Sequence, residues 1–159
     1  LQQDYRNVEG SFTKVVSIEM VEAIGGDQFG TFFATIDRVL APGGRAAVQS
    51  ILVPEQRWDR YRRTPDWIER YVFPGCLIPS LGALVQAAGQ LRIREVEHVG
   101  HHYGETLARW RATFNARLAA VRDLAFDERF IRTWDFYLAS CEALFRAGLL
   151  DDAQLVVTR

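Results

Sequence analysis

Lysine is almost absent from this chain: Lys14 stands alone against eighteen arginines. Arginine keeps its charge and forks onto carboxylates or phosphates, although so strong a bias also reflects genomic composition. Cysteine is scarce too, and Cys76 and Cys141 are too few and too far apart for a disulfide framework or a zinc site. That usage favours a reducing, cytoplasmic compartment. No run approaches the roughly 18 apolar residues of a membrane-spanning helix. The formal net charge is only −1, which argues against a nucleic-acid binder, since those carry a strong basic excess. No G-x-G-x-x-G or G-x-G-x-G occurs, so the glycine turn that holds a nucleotide cofactor in many α/β sheets is not in this stretch. No repeat, low-complexity segment or flexible linker interrupts the sequence.

What remains is the composition of a folded unit: 159 residues, 48% hydrophobic and 12% aromatic, enough for one domain with a sizeable core. Residues 13–18 form a β-branched apolar run, the pattern of a buried parallel strand. Glu19 to Gly25 reads as a short helical turn or loop. Asp27 is placed to cap a helix in which Phe29, Phe32, Phe33, Ile36, Val39 and Leu40 recur at helical spacing. Ala41-Pro42-Gly43-Gly44 stops it, and Arg45 to Val53 is a second strand. Strand, helix, strand predicts a βαβ unit in a parallel sheet.

Residues 55–73 change character, with Trp58, Arg60, Tyr61, Arg62, Arg63, Trp67, Arg70 and Tyr71 suggesting an exposed amphipathic helix. Ser80 opens a helix to about Ala88, and Leu91–Val99 reads as a third strand. Two amphipathic helices follow at 103–122 and 127–147, and Ala153–Thr158 is a last strand. The run at 13–18 would be a long apolar sheet edge, which proteins usually avoid. With Leu1 in place of methionine, the expectation is that N-terminal strands precede this stretch or that a partner chain covers the edge.

Read together, several segments point to a family: Asp4-Tyr5-Arg6; Lys14 to Gly25 (KVVSIEMVEAIG); Pro42-Gly43-Gly44; Phe73 to Ser80 (FPGCLIPS); and Tyr137 to Gly148 (YLASCEALFRAG). In this order and spacing they resemble the C-terminal part of cyclopropane-fatty-acyl-phospholipid synthases and mycolic acid cyclopropane synthases. These are S-adenosylmethionine-dependent methyltransferases, and the resemblance covers essentially the whole chain. It implies an α/β fold: a Rossmann-like class I methyltransferase sheet from its fourth strand onward, forming one unit over residues 1–159. Helical lid or lipid-pocket elements would lie at 54–80 and 103–148.

The implied chemistry is attack of a cis double bond, in an unsaturated acyl chain of a phospholipid, on the cofactor's methyl group. Loss of a proton then closes a cyclopropane ring. Such a pocket must hold a base and keep out water that would quench the cation. The resemblance implies a bicarbonate ion as that base, held by Glu22, Tyr103 and the backbone of Ile51. Gln49 stands where the family usually has histidine, and the family's cysteine would lie before Leu1. For the cofactor it implies Asp4 and Tyr5 near the adenine and the backbone of Ile18; Ala23 replaces a histidine of many relatives.

Without the resemblance, Glu22 would read as a solvated helix-start carboxylate and Tyr103 as a packed aromatic. His98, His101 and His102 lack a matching carboxylate pattern, so no metal site is expected. Cys141 reads as structural, and Cys76 as a local change in a turn. The arginines and aromatics of 57–71 suggest a lid in peripheral contact with the inner membrane face. A homodimer is a further expectation. Two alternatives stand beside ring formation: a methyl-branched product, favoured by Gln49 because base geometry decides ring closure, and a non-catalytic lipid-binding or dimerisation module.

Overall fold

A computed structural model describes residues 2–159. Four strands form one sheet: β1 (Phe12–Ile18), β2 (Leu40–Leu52), β3 (Arg92–His98) and β4 (Asp151–Thr158), in the order β1-β2-β4-β3. β1 runs parallel to β2, with Ile18 opposite Gln49. β4 lies between β2 and β3 and is antiparallel to both. The βαβ unit is parallel as expected, while β4 makes the sheet as a whole mixed, which corrects the expectation of a parallel sheet. The strand after a helix need not follow a right-handed crossover when it closes back between two existing edges.

Between β1 and β2, a short 3-10 turn at Val21–Ile24 and a second at Gly26–Gln28 lead into α1 (Phe29–Val39). Asp27 sits inside that second turn, and the helix begins without a side-chain cap. This corrects its assignment as the cap. Phe29, Phe32, Phe33, Ile36 and Val39 bury one stripe of α1 against the sheet. The first four meet Ala46, Val48 and Leu52 of β2 and Ala153, Leu155 and Val157 of β4. Leu40, expected in the helix, instead starts β2, five residues before the expected Arg45; the strand runs irregularly between Leu40 and Arg45, where Gly43 has φ +75°, a conformation that favours glycine.

Residues 55–73 fold as two short helices, α2 (Glu55–Tyr61) and α3 (Trp67–Tyr71), not one amphipathic helix. Pro65 disfavours helical geometry at Thr64, and Asp66 caps the second helix by accepting from the Glu69 amide at 2.8 Å. Ser80 caps α4 (Leu81–Ala87) as expected, accepting from Ala83 N at 3.1 Å. The stretch 103–122 is also broken, into α5 (Tyr103–Ala116) and α6 (Leu118–Asp123), and the antiparallel return is α7 (Glu128–Arg146). Arg111 forks onto Asp135 at 2.8 and 3.0 Å and ties α5 to α7.

A second core forms where this hairpin packs beyond the end of β2. Leu107, Leu138, Cys141 and Phe145 meet Val53 and Leu150 there, with Trp58, Tyr61, Ile68 and Ile78 packed alongside. Helices thus cover one face and one end of the sheet. The other face stays open at β1, where Val16 and Ile18 are 67% and 64% exposed. No helix among the described residues is long and apolar enough to cross a membrane.

Candidate active site

The C-terminal ends of β1 and β2, and the start of β4, bring together four of the residues named for the chemistry. Glu22 lies in the 3-10 turn just after β1 and is 7% exposed. Its own carbonyl accepts from the Leu77 amide at 2.8 Å, which pins the turn against the 73–80 loop. The Ile51 backbone N–H donates to Glu22 Oε1 at 2.5 Å, while Oε2 is buried with no partner among the described residues. Burial pushes the Glu22 carboxyl up to about 6, against the opposing pull of the backbone donors.

Gln49, near the end of β2, is the hub. Its Nε2 lies 2.9 Å from Asp152 Oδ2, 3.0 Å from Glu19 Oε1 and 3.3 Å from the Tyr103 hydroxyl. Gln154, its partner across the β2–β4 ladder, donates to Gln49 Oε1 at 2.9 Å and so fixes which end of the amide faces the carboxylates. Tyr103 opens α5, stacks its ring on Phe145 with centroids 5.0 Å apart, and donates its hydroxyl to Glu19 Oε1. Burial first, and Glu19 second, hold the Tyr103 phenol well above its ordinary range, so it acts as a donor.

Two members of this network were not singled out by sequence: Glu19 and Asp152. Glu19 has φ +50°, a left-handed conformation that non-glycine residues rarely adopt. Its backbone N–H donates to the Gln49 carbonyl at 2.9 Å. Asp152 is fully buried, and its Oδ1 has no partner among the described residues. Burial and the nearby Glu19 raise its carboxyl to about 6. The available signals were a carboxylate three positions before Glu22 at a strand end, and the Asp151-Asp152 pair at the mouth of the last strand.

The anion contacts implied for Ile51, Gln49 and Tyr103 are made here by the chain itself. The Ile51 amide serves Glu22, and the other two donors serve Glu19. The residues therefore do not present a bicarbonate ion with an open set of donors.

The proposed cofactor residues lie apart from this network. Asp4 closes on Arg6 at 2.7 and 3.0 Å. Tyr5 packs edge-on against Phe32 at 6.1 Å, its hydroxyl buried without a partner among the described residues. Arg38 holds their loop by donating to the carbonyls of Val8 and Arg6 at 2.7 and 2.9 Å. Ile18 ends β1 directly beside Gln49.

Among the described residues, no three His, Cys, Asp or Glu side chains are grouped to hold a metal ion. His98 instead pairs with Asp151 at 2.5 Å, and His101 stacks on His102. Cys76 and Cys141 are free, and burial pushes both thiols up to about 11, so neither is a thiolate nucleophile.

Comparison with known proteins agrees with this architecture. The solved mycolic acid cyclopropane synthase CmaA1, complexed with SAH and CTAB, superposes with a TM-score of 0.89 at 22% identity, over 100% of this chain and 59% of that one. A solved coclaurine N-methyltransferase, bound to N-methylheliamine and SAH, superposes at 0.77 over 99% of this chain and 50% of that one, with 16% identity. The fold is that of the class I S-adenosylmethionine methyltransferases. In sequence, the tuberculostearic acid methyltransferase UfaA1 of Mycobacterium tuberculosis is 43% identical over 98% of this chain and 37% of its own length. The cyclopropane-fatty-acyl-phospholipid synthase of Escherichia coli K12 is 32% identical over 100% and 41%. The chain thus spans about two-fifths of the curated relatives it matches. The family model described as mycolic acid cyclopropane synthetase matches residues 1–155, and the chain belongs to that family.

Proposed function

We propose that this chain contributes the base-bearing part of an S-adenosylmethionine-dependent methyltransferase acting on cis-unsaturated acyl chains of phospholipids. The observation that carries this reading is the convergence of Glu22, Gln49, Ile51 and Tyr103 at one sheet end, under a helical layer, in a chain of this family. Transfer of the methyl to the double bond leaves a cation on the acyl chain. A proton acceptor in an otherwise apolar setting then directs it to a ring.

S-adenosylmethionine supplies the electrophilic methyl when bound. Tyr5, through its buried hydroxyl without a partner among the described residues, and the Ile18 backbone at the open face are suited to meet it. Asp4, already closed on Arg6, would have to share its oxygens.

The lid role of residues 54–80 and 103–148 belongs to the same reading. Tyr71 and Phe73 are exposed beside Arg70, a combination suited to the interface of a phospholipid bilayer. The same reading takes the protein to be cytoplasmic and in peripheral contact with the inner membrane face, and the exposed Val16 and Ile18 of β1 suit cover by further sheet strands or a second copy.

A second reading, methyl branching without ring closure, is favoured by two observations: the 43% identity to a tuberculostearic acid methyltransferase, and Gln49 in the place of a titrating histidine. The test is incubation of the purified protein with methyl-labelled cofactor and monounsaturated phospholipid vesicles. Ring-methylene protons in the recovered fatty acids support cyclopropanation, methyl or exomethylene signals support the second reading, and no label in lipid refutes both.

A further inference from the structure

Both side-chain donors that the family resemblance assigns to an external anion converge on one oxygen of the chain. Gln49 Nε2 lies 3.0 Å from Glu19 Oε1, and the Tyr103 hydroxyl donates to that same oxygen. The third donor, Ile51 N–H, is closed on Glu22. Glu19 is held there by its backbone, whose N–H donates to the Gln49 carbonyl, and by a left-handed conformation that a glutamate adopts only against a steric penalty. A strained residue that delivers a carboxylate into a donor pair is the kind of outlier from which function is reasonably inferred. Glu22 Oε2 and Asp152 Oδ1 add two buried carboxylate oxygens that have no partner among the described residues. Any anion would enter against three carboxylates, with its donors already taken.

We propose that Glu19 stands in for the external anion and is itself the proton acceptor of the reaction. This rests on the methyl-transfer reading above. Once the methyl has joined one carbon of the former double bond, the other carbon is cationic. A C–H bond of the added methyl breaks, its electron pair forms the new carbon–carbon bond to the cationic carbon, and the proton goes to the Glu19 carboxylate. The resulting carboxylic acid returns its proton to water after the product has left, when Glu19 is again exposed to solvent. Tyr103 and Gln49 position the carboxylate, and no further reactant is required.

The test compares the wild type with Glu19→Gly and Glu19→Gln in bicarbonate-free buffer, with and without added bicarbonate or acetate. Glycine suits φ +50°, so Glu19→Gly removes the carboxylate while easing the backbone. The wild type should change less than about twofold when bicarbonate is withdrawn. Glu19→Gly should lose about a hundredfold or more in turnover, the scale of a lost preorganised group, and recover part of it with either anion. Glu19→Gln, whose amide still fills the place, should be slow and resist rescue. Carbon-13 bicarbonate titrated against each protein gives a readout independent of turnover: binding to Glu19→Gly and not to the wild type. A wild type that needs or binds bicarbonate, or a Glu19→Gly variant that keeps its rate in anion-free buffer, overturns the proposal. If the wild type transfers no methyl to lipid at all, the methyl-transfer reading fails. The carbon-13 titration then decides the site alone: binding confined to Glu19→Gly upholds Glu19 as the resident anion, and any other pattern removes it.

Discussion

Glu19 and Gln49 are joined twice, once through the backbone at 2.9 Å and once through the Gln49 amide at 3.0 Å. The first bond continues the β1–β2 ladder by one residue, and the second turns that ladder into a bracket for a carboxylate. Gln49 also reaches Asp152, so one neutral amide holds two acidic groups, one just past the end of β1 and one in β4. Replacing it tests the whole arrangement. Gln49→Leu strips the buried Asp152 of its amide donor and should destabilise the fold by about 1–3 kcal/mol in urea titrations, besides lowering turnover. Gln49→His should retain partial activity and gain a pH dependence near neutrality from the imidazole.

Tyr103→Phe removes only a hydroxyl, and its ring keeps the stack on Phe145. Turnover should fall about ten- to a thousandfold, with the melting temperature nearly unchanged. Because Tyr103 and Gln49 serve the same oxygen of Glu19, the Tyr103→Phe/Gln49→Leu double variant should lose less than the product of the two single losses. Initial rates on unsaturated phospholipid vesicles give all three values, and strict additivity would separate the two residues.

Glu22 and Asp152 set an unusual pH dependence of stability. Their carboxyls sit at about 6 in the folded protein, above the ordinary 4.5 and 3.8. Between those values the folded state binds more protons than the unfolded one, so stability falls as pH rises through 6. Asp4, lowered to about 2 by Arg6, acts in the opposite direction but below that window. Glu22→Gln cannot titrate. It should remove on the order of 1 kcal/mol from the difference between about pH 5 and about pH 7.5, mainly by being more stable at the higher pH. The same substitution should lower turnover strongly with cofactor affinity nearly intact. Urea unfolding at the two pH values and a cofactor titration check both halves.

Arg38→Ala should loosen the Asp4–Tyr5 loop, since its guanidinium donates to the carbonyls of Val8 and Arg6. If that loop meets the cofactor, the S-adenosylmethionine dissociation constant should rise about three- to tenfold, with turnover at saturating cofactor preserved. Calorimetric titration and a saturation series separate these effects, and unchanged affinity would detach the loop from cofactor binding.

Local signals carried much of this architecture. The β-branched run of β1, the 3.6-residue stripe of α1 and the Ser80 cap are short-range patterns, and each appears where its pattern placed it. The breaks after Tyr61 and at Arg117 escaped because apolar periodicity runs on across them. The antiparallel course of β4 escaped because the residue pattern of a strand carries no sign of its direction. At the site, family resemblance singled out Glu22, Gln49, Ile51 and Tyr103. Glu19 and Asp152 lay hidden because their partners are 84 and 103 residues away in the chain. Such contacts exist only once three strands and a helix have met.

The place of β4 also orders the assembly of the protein in time. A ribosome delivers β1, β2 and β3 before β4, yet β4 is the strand that joins β2 to β3, pairing Arg45 with Thr158. Until residues 151–158 emerge, β3 has no neighbour and β2 keeps a bare hydrogen-bonding edge with Ala46 and Val48 unsheltered beside it. These long-range pairings slow folding and leave the nascent chain open to mispairing until β4 has been made. Asp152, which Gln49 engages, arrives with the same strand, so the acidic bracket and the sheet are completed in one event.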